Sequence, residues 1–487
     1  MESGKSIKKN YFYNLLLQLS SIFVPLILTP YVSRVLGAES IGEISYTQSI
    51  INYLIIFGNM GTGIFALRQI AYYRDDYEKQ RTFFSTMLCL RLFMYVPMFI
   101  LFFLLVFLYE SYSITIFVGG TYLLAEAISV EWYFSGNENF KITVVRSLSI
   151  KLLGFLLVFL FVKESADKYV YVLILGGLAL IGAITLLMIA LKQNHGLVRP
   201  EISQMKNYLI GGIILLIPQI ASSIYVYFDK IMIGILSSGV VENGYYEQTQ
   251  KIIRLSITIV TALPTVMLPR ISSAYSQHHS EEIEAYMIKS MKFSLLMAFP
   301  IMVGVISIAD NLVPWFFGAG YDKVILLLKI QGPIILFNSF HNIIGYQYFL
   351  ATKQERRFTL TILAGTIPNL ILNFILIPRF DSIGASIASV FAEILIALVQ
   401  LAIISKIMNL LPILKYAFKV VVASAVMLLV LCVVGDYVEP GMAPTFILIL
   451  VGSSVYFGIQ LIFKDELLLP IVQNVKGVIV RWKEKGQ

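Results

Sequence analysis

The sequence predicts an all-α polytopic membrane protein, and three observations indicate this class. Hydrophobic residues make up 58% of the 487 residues and charged residues only 14%, against about 25% charged residues in an ordinary globular domain. The mean hydropathy is +0.80, and long apolar runs recur along the whole chain. Because so few charged side chains could not cover this apolar surface in water, we set aside soluble enzymes, nucleic-acid-binding domains and disulfide-stapled secreted domains.

Fourteen segments are long and apolar enough to cross a membrane as helices. A helix needs about 20 mostly apolar residues to span ~30 Å of hydrocarbon, and strands are not indicated because no alternating ten-residue pattern recurs. The predicted spans are residues 11–33, 41–66, 82–109, 112–134, 143–162, 169–191, 207–236, 244–268, 287–308, 323–350, 356–377, 382–404, 411–434 and 443–463.

Positive charge is distributed unevenly over the segments between these spans. With both termini placed in the cytoplasm, 26 of the 37 lysines and arginines fall on the cytoplasmic side and five on the outer side, counting those in the adjoining ends of the spans. Lysine and arginine accumulate on the cytoplasmic side of membrane proteins. We therefore expect an even number of spans with both termini in the cytoplasm.

The chain also matches itself at a shift of 202 residues. The shift places Gly42, Thr47, Gln48, Ile50, Ile51 and Arg68 on Gly244, Thr249, Gln250, Ile252, Ile253 and Arg270. Because six spans separate the two sets, the halves are expected to be parallel repeats related by a pseudo-two-fold axis along the membrane normal; chance similarity between two apolar strings is the alternative. The predicted domains are six-helix lobes at 1–195 and 196–405, transmembrane helices 13 and 14 at 406–463, and a cytoplasmic amphipathic tail at 464–487.

Polar side chains recur at helical spacing in the first span of each predicted lobe. The two sets are Asn14, Gln18 and Ser21 in span one, and Ser222, Tyr225 and Asp229 in span seven. Spacings of three and four residues place each set on one helix face. Two explanations are open: both faces line a central water-filled cavity, or they join helices through hydrogen bonds.

Span eight carries three charged side chains on one face, Glu247, Lys251 and Arg254. A lysine or arginine facing lipid at the membrane midplane costs about 2.5–3.5 kcal/mol on insertion scales. These groups are therefore expected to face a cavity or one another. In the second case Asp229 and Glu247 neutralise Lys251, and Arg254 is the surplus cation.

Further polar groups lie inside other spans. Glu126 and Lys151 suggest an ion pair within the first lobe, and Glu393 lies in span twelve. A polar patch in span ten consists of Asn338, His341 and Asn342. We find no nucleophile constellation, metal-ligand spacing or phosphate loop, so the sequence predicts neither an enzyme nor a metal site nor a bound cofactor.

Four motifs carry a resemblance to a known family. They are Thr29-Pro30-Tyr31-Val32-Ser33-Arg34-Val35-Leu36-Gly37, Trp132-Tyr133-Phe134, Asp229-Lys230-Ile231-Met232-Ile233-Gly234 and Leu268-Pro269-Arg270. The chain resembles, over nearly its whole length, the polysaccharide repeat-unit flippases (Wzx-type) of the multidrug/oligosaccharidyl-lipid/polysaccharide exporter superfamily. Fourteen spans and cytoplasmic termini also fit that family.

The resemblance implies a flippase of the bacterial plasma membrane that works by alternating access. Its substrate would be an undecaprenyl-diphosphate-linked oligosaccharide destined for surface polysaccharide; membrane lipids would be further partners and a polysaccharide polymerase complex a candidate partner. The cations expected to bind the diphosphate are Arg34, Lys151, Lys251 and Arg254. The carboxylates expected to form ion pairs or couple transport to protons or sodium are Glu126, Asp229, Glu247 and Glu393.

Three other functions compete with this interpretation. A drug or cation antiporter of the same superfamily would prefer an acidic cavity. A flippase for peptidoglycan or teichoic-acid precursors is hardly distinguishable by sequence. A membrane polymerase or ligase would need a larger outer loop than the one near residues 309–322, so an enzyme is the least favoured of the three.

Overall fold

Helices form all the regular secondary structure in the described parts of the chain, which confirms the all-α class. The computed structural model describes residues 2–223, 227–470 and 473. The chain forms two compact units, Met1–Glu247 and Gln248–Gln487.

The first unit contains helices α1 to α9 and the beginning of α10. Their bounds are α1 Glu2–Asn59, α2 Thr62–Tyr72, α3 Tyr77–Leu108, α4 Ser113–Ala127, α5 Glu131–Gly136, α6 Phe140–Phe161, α7 Lys168–Gln193, α8 Ile202–Ser223, α9 Asp229–Leu236 and α10 Val241–Val260. The second unit contains the rest of α10 and α11 Ala262–Ser276, α12 Ser280–Phe317, α13 Asp322–Gln331, α14 Pro333–His341, a π-helix at Asn342–Leu350, α15 Glu355–Ile404, α16 Leu411–Gly435 and α17 Met442–Ile462.

Many of these helices are suited to lipid by length and composition. Within the described ranges, eight are long and apolar enough to cross a membrane, and two bent helix pairs raise the number to ten. Several of them expose large apolar side chains, such as Phe107 at 78% and Phe418 at 70%. Helices that are apolar on every side belong in hydrocarbon, so the chain is a multi-pass membrane protein.

Two long helices are each interrupted at one residue. Gly37 breaks α1 with a φ of 75°, a conformation that glycine adopts without a steric penalty. Asp381 breaks α15 with a φ of 53°. These breaks lie between the predicted spans 11–33 and 41–66, and between 356–377 and 382–404. Helix α15 contains two predicted spans, and α1 contains the first span and most of the second. The number of helices therefore does not give the number of spans, and the total of fourteen stays a prediction.

The first unit is organised around aromatic packing between α3 and α5. Phe84 of α3 lies 5.1 Å from Tyr133 and 5.7 Å from Trp132, measured between ring centroids. Helix α8 packs on α2 and α3, and α9 packs on α1. The unit therefore extends to Glu247, whereas the predicted N-terminal lobe ends at residue 195; the lobe limits stay a prediction.

The second unit is built on α12, against which α16 and α17 pack. The indole nitrogen of Trp315 donates a hydrogen bond to the Thr445 hydroxyl at 2.7 Å, and Tyr456 donates to the backbone oxygen of Leu296 at 2.8 Å. The two C-terminal helices, predicted as an addition to the six-plus-six core, are thus attached to α12 by polar bonds as well as apolar packing.

The segment after α17 is held by Asp465. Its carboxylate accepts hydrogen bonds from the Tyr416 hydroxyl at 2.6 Å and from the backbone N–H groups of Leu467 and Leu468. Lys292 of α12 pairs with the neighbouring Glu466. Most of the predicted amphipathic tail, 464–487, lies outside the described residues, and the tail stays a prediction.

Candidate functional site

The first unit contains a very close approach between the backbones of α1 and α10. A Cβ atom added at Gly42 would lie 2.0 Å from the carbonyl oxygen of Val240, and one added at Gly244 would lie 2.0 Å from that of Ala38. Only glycine allows backbones to approach this closely. Both positions therefore require glycine.

These two glycines are the residues that the 202-residue shift superposes. Ser45 and Glu247 are also 202 residues apart, and the Ser45 hydroxyl donates a hydrogen bond to the Glu247 carboxylate at 3.1 Å. In a two-fold arrangement, equivalent residues meet each other at the axis. The meeting of two such equivalent pairs supports the predicted internal repeat.

An ion pair between a buried lysine and a half-buried glutamate lies next to this crossing. Lys230 of α9, 5% exposed, contacts the Glu247 carboxylate through its ammonium. The Asn243 side-chain amide donates to the Lys230 backbone oxygen at 2.9 Å. The first turn of α9 is thus bound to the first turns of α10 by a charge pair and a neutral hydrogen bond.

Asp229, the first residue of α9, is fully buried and accepts a hydrogen bond from the Tyr246 hydroxyl at 2.9 Å. The sequence suggested that Asp229 and Glu247 neutralise Lys251; in the structure Glu247 is paired with Lys230. Lys251 belongs to the second unit, and the Asp229–Lys251 pair stays a prediction. Lys230 was missed as a site residue although it follows Asp229 directly in the quoted motif.

A second carboxylate is buried one residue after Gly42. Glu43 is 6% exposed and accepts hydrogen bonds from the Thr115 hydroxyl and the Lys168 ammonium. Lys168 also lies 5.2 Å from the ring centroid of Tyr169. The sequence analysis singled out neither Glu43 nor Lys168, because 125 residues separate the two partners.

Glu126 has a different partner from the one suggested by the sequence. Its carboxylate lies 3.7 Å from the guanidinium of Arg91, which is 3% exposed and donates hydrogen bonds to the Asn59 side chain and the Glu126 backbone oxygen, both at 2.7 Å. Lys151 instead lies 3.4 Å from the Ser20 hydroxyl. The predicted ion pair between Glu126 and Lys151 is therefore wrong. Helix α3 packs on α4 and places Arg91 beside Glu126.

In the second unit, the polar patch of the π-helix region joins α15. The Asn338 amide donates to the Glu393 carboxylate at 2.9 Å, and the Gln400 amide nitrogen lies 3.1 Å from His341 Nδ1. The Asn342 amide donates to the Asn338 side-chain oxygen at 2.8 Å. π-Helical turns inside α-helices are frequent at functional sites. Three predicted site residues, Asn338, Asn342 and Glu393, are thus joined by hydrogen bonds, whereas the predicted His341 contacts Gln400.

The remaining predicted cations differ in exposure. Arg34, one turn before the Gly37 break, is exposed, and so is Arg254 of α10, whereas Lys251 is half-buried. Among the described residues no carboxylate pairs with Arg254, and no group of His, Cys, Asp or Glu side chains is placed to hold a metal ion. The other polar residues predicted to line a cavity have side chains outside the part of the chain that the structure describes. They are Asn14, Gln18, Ser21, Ser222 and Tyr225.

Two family models match more than half of the chain each. Residues 7–275 match the model described as "Polysaccharide biosynthesis protein", and residues 146–452 match the model described as "Lipid II flippase MurJ". The "Putative O-antigen transporter" of Escherichia coli (strain K12) is 26% identical over 400 residues, which cover 81% of this chain and 96% of that protein. A protein of the same description from Shigella dysenteriae is 21% identical over 409 residues, covering 81% and 99%.

Solved structures show the same fold. "Lipid II flippase MurJ, inward closed conformation" aligns with a TM-score of 0.73 at 16% identity, covering 94% of this chain and 99% of that one. An inward-facing multidrug resistance MATE family transporter of the MOP superfamily aligns with a TM-score of 0.60 at 15% identity, covering 84% and 98%. At these identities the likeness concerns the fold alone.

Gly244→Ala is expected to lower thermal stability, because the added methyl group meets the Ala38 carbonyl and the helices must separate. Overpacking of this kind costs about 1–3 kcal/mol. Thermal unfolding of the purified protein in detergent measures the change. Gly177→Ala is the matched control, since a Cβ atom there meets nothing within 4 Å and alanine favours helix. Equal stability of the two variants would contradict the close backbone approach.

Lys230→Met is expected to destabilise the first unit, since it removes the ammonium that contacts the half-buried Glu247 carboxylate. Breaking a fully buried pair from one side costs about 3–5 kcal/mol, and the loss here is expected to be smaller because Glu247 is partly exposed. The double variant Lys230→Met with Glu247→Met should recover most of the loss in the same unfolding measurement. Lys79→Met, which breaks an exposed pair with Asp76, should leave the unfolding temperature unchanged. A double variant as unstable as the single one would show that the pair itself is not responsible.

Proposed function

The chain belongs to the polysaccharide biosynthesis protein family, and we propose that it moves an undecaprenyl-diphosphate-linked oligosaccharide from the inner to the outer leaflet of the bacterial plasma membrane. Its family models, its relatives and its fold identify it as a Wzx-type flippase of the MOP superfamily. The identity of the glycan carrier, the direction of movement and the cytoplasmic placement of both termini are parts of the proposal.

The exposure of Arg254 is the observation that carries the proposed mechanism. Arg254 lies in the apolar half of α10, two turns after Glu247, and no carboxylate among the described residues neutralises it. A cation facing lipid near the membrane midplane, where the predicted span 244–268 places Arg254, costs about 2.5–3.5 kcal/mol. The same side chain facing a hydrated cavity would instead attract a diphosphate, for which guanidinium offers two parallel hydrogen bonds.

We infer that the other predicted cations serve the same head group at different stages. Arg34 is exposed beside the Gly37 break, and Lys151 and Lys251 are half-buried. Two lobes that alternately expose a cationic cavity would carry the diphosphate and glycan across, while the polyprenyl chain stays in lipid. Asn14, Gln18, Ser21, Ser222 and Tyr225 are proposed to line this cavity.

Carboxylates that are already engaged in contacts favour this proposal over a drug antiporter. An antiporter for cations needs carboxylates that are available to its substrate or coupling ion. In the structure Asp229 accepts from Tyr246, Glu247 pairs with Lys230, and Glu393 accepts from Asn338. Coupling to protons or sodium through Glu126, Asp229, Glu247 or Glu393 remains part of the proposal, and it would require these contacts to open during transport.

Arg254→Ala is expected to abolish export of surface polysaccharide while the protein stays in the membrane. The physical reason is that the diphosphate loses its bidentate cation inside an apolar span. In a deletion strain complemented with the variant, lipid-linked repeat units should accumulate, as measured by mass spectrometry of extracted lipids. Arg254→Lys should restore part of the export, because it keeps the charge but not the planar two-point contact.

Arg199→Ala is the matched control for this experiment. Arg199 is exposed in the segment between α7 and α8 and lies outside the predicted spans, so its removal should leave export at the wild-type level. Normal surface polysaccharide in cells that carry Arg254→Ala at wild-type abundance would refute the assigned role.

A further inference from the structure

The two ends of α15 meet at a groove of about 390 Å³. Arg357 lies in the first turn of α15, and Lys406 follows its last residue by two positions. Because Asp381 divides α15 into two segments, both ends can lie at the same side of the membrane. The groove is lined by Arg357, Leu360, Thr361, Val399, Ile403, Lys406 and Ile407.

The position of the two cations corresponds to the level of lipid phosphates. Each segment of α15, 355–380 and 382–404, is long enough at about 1.5 Å per residue to cross ~30 Å of hydrocarbon. Arg357 and Lys406 at the ends of these segments therefore lie in the interfacial region. Both side chains are exposed, and no carboxylate within the described ranges forms an ion pair with either.

The remainder of the groove is apolar. Leu360 is 56% exposed and Ile407 is 52% exposed, so large apolar surfaces lie directly beside the two cations. The Thr361 hydroxyl is already engaged, since it donates to the Phe358 backbone oxygen at 2.8 Å and accepts from the Gln400 amide at 3.0 Å. A ligand that fits this surface has an anionic head and an apolar body.

A second groove, at the C-terminal end of α15, is lined by charges of the opposite sign. It also measures about 390 Å³, shares Ile407, and its polar lining includes His278, Glu281 and Glu284. The charges of the two neighbouring grooves are therefore segregated, with cations in the first and carboxylates in the second. This contrast directs an anionic ligand to the groove at Arg357 and Lys406.

We propose that the groove at the ends of α15 binds an anionic phospholipid. The phosphate lies between Arg357 and Lys406, and an acyl chain lies along Leu360, Val399 and Ile403. Basic pockets between transmembrane helices bind anionic lipid head groups in this manner. The choice of an anionic phospholipid rests on the residues that line the groove. Its placement in the cytoplasmic leaflet also rests on the proposed orientation of the chain in the membrane.

The test uses the full-length protein in nanodiscs made of equal parts phosphatidylcholine and phosphatidylglycerol. Native mass spectrometry after release should find phosphatidylglycerol retained in preference to phosphatidylcholine. The double variant Arg357→Gln with Lys406→Gln should lower the affinity for phosphatidylglycerol roughly ten- to thirty-fold, from the attraction contributed by two interfacial cations. Retention equal to the wild type would overturn the proposal.

The charge-matched control is Arg356→Gln with Lys415→Gln. Both residues are exposed and neither lines the groove, so this variant should keep its phosphatidylglycerol. Arg357→Lys with Lys406→Arg preserves both charges and should bind as the wild type does. Loss of the lipid in the control variant as well would show that binding depends on overall charge and not on this site.

A photoactivatable phosphatidylglycerol identifies the occupant and its place. Adducts within residues 357–361 and 399–407 would support the assignment, and adducts confined to other helices would overturn it. Addition of undecaprenyl diphosphate should leave this labelling unchanged. Its displacement by an equal amount of undecaprenyl diphosphate would assign the groove to the transported lipid instead, and the phospholipid proposal would be wrong. Export of surface polysaccharide is measured separately in the same variants. It tests the proposed function, whereas the labelling tests the lipid site, so failure of one is distinguishable from failure of the other.

Discussion

The close backbone approach of α1 and α10 at Gly42 and Gly244 is the constraint on which the polar interior of the first unit depends. It brings Ser45 within hydrogen-bonding distance of Glu247. Glu247 in turn holds Lys230 and so the first turn of α9. Buried charges need partners at short range, because neither hydrocarbon nor a dry protein interior solvates them. A side chain at either glycine would separate the helices and weaken these contacts together.

Sequence patterns predicted the helices and the repeat much better than they predicted charge partners. Apolar length fixes the position of a span, and the 202-residue shift identified the two glycines that touch. The resemblance to Wzx-type flippases was confirmed by the family models. Pairing depends on helix rotation and on contacts across long stretches of sequence, as with Glu43 and Lys168. Neither is encoded in local spacing.

The case of Glu247 shows the limit of such patterns. Helical periodicity places Glu247, Lys251 and Arg254 on one face of α10, and the sequence therefore suggested Lys251 as the cation for Glu247 and Asp229. Periodicity within one helix does not report which neighbouring helix turns a cation toward the carboxylate. Lys230 of α9 contacts Glu247, and no pattern within α10 could have indicated it.

The charged residues of the described chain separate into two classes by what neutralises them. Arg91, Lys168 and Lys230 each have a carboxylate within the same unit, and such pairs fix helices relative to one another. Arg254, Arg357 and Lys406 are exposed cations for which the described residues provide no carboxylate. An unneutralised cation at the membrane boundary can be satisfied permanently by a resident lipid phosphate. The same charge inside a span is satisfied only by water or by a ligand that enters. Depth therefore distinguishes the proposed lipid site at the ends of α15 from the proposed transport site on α10.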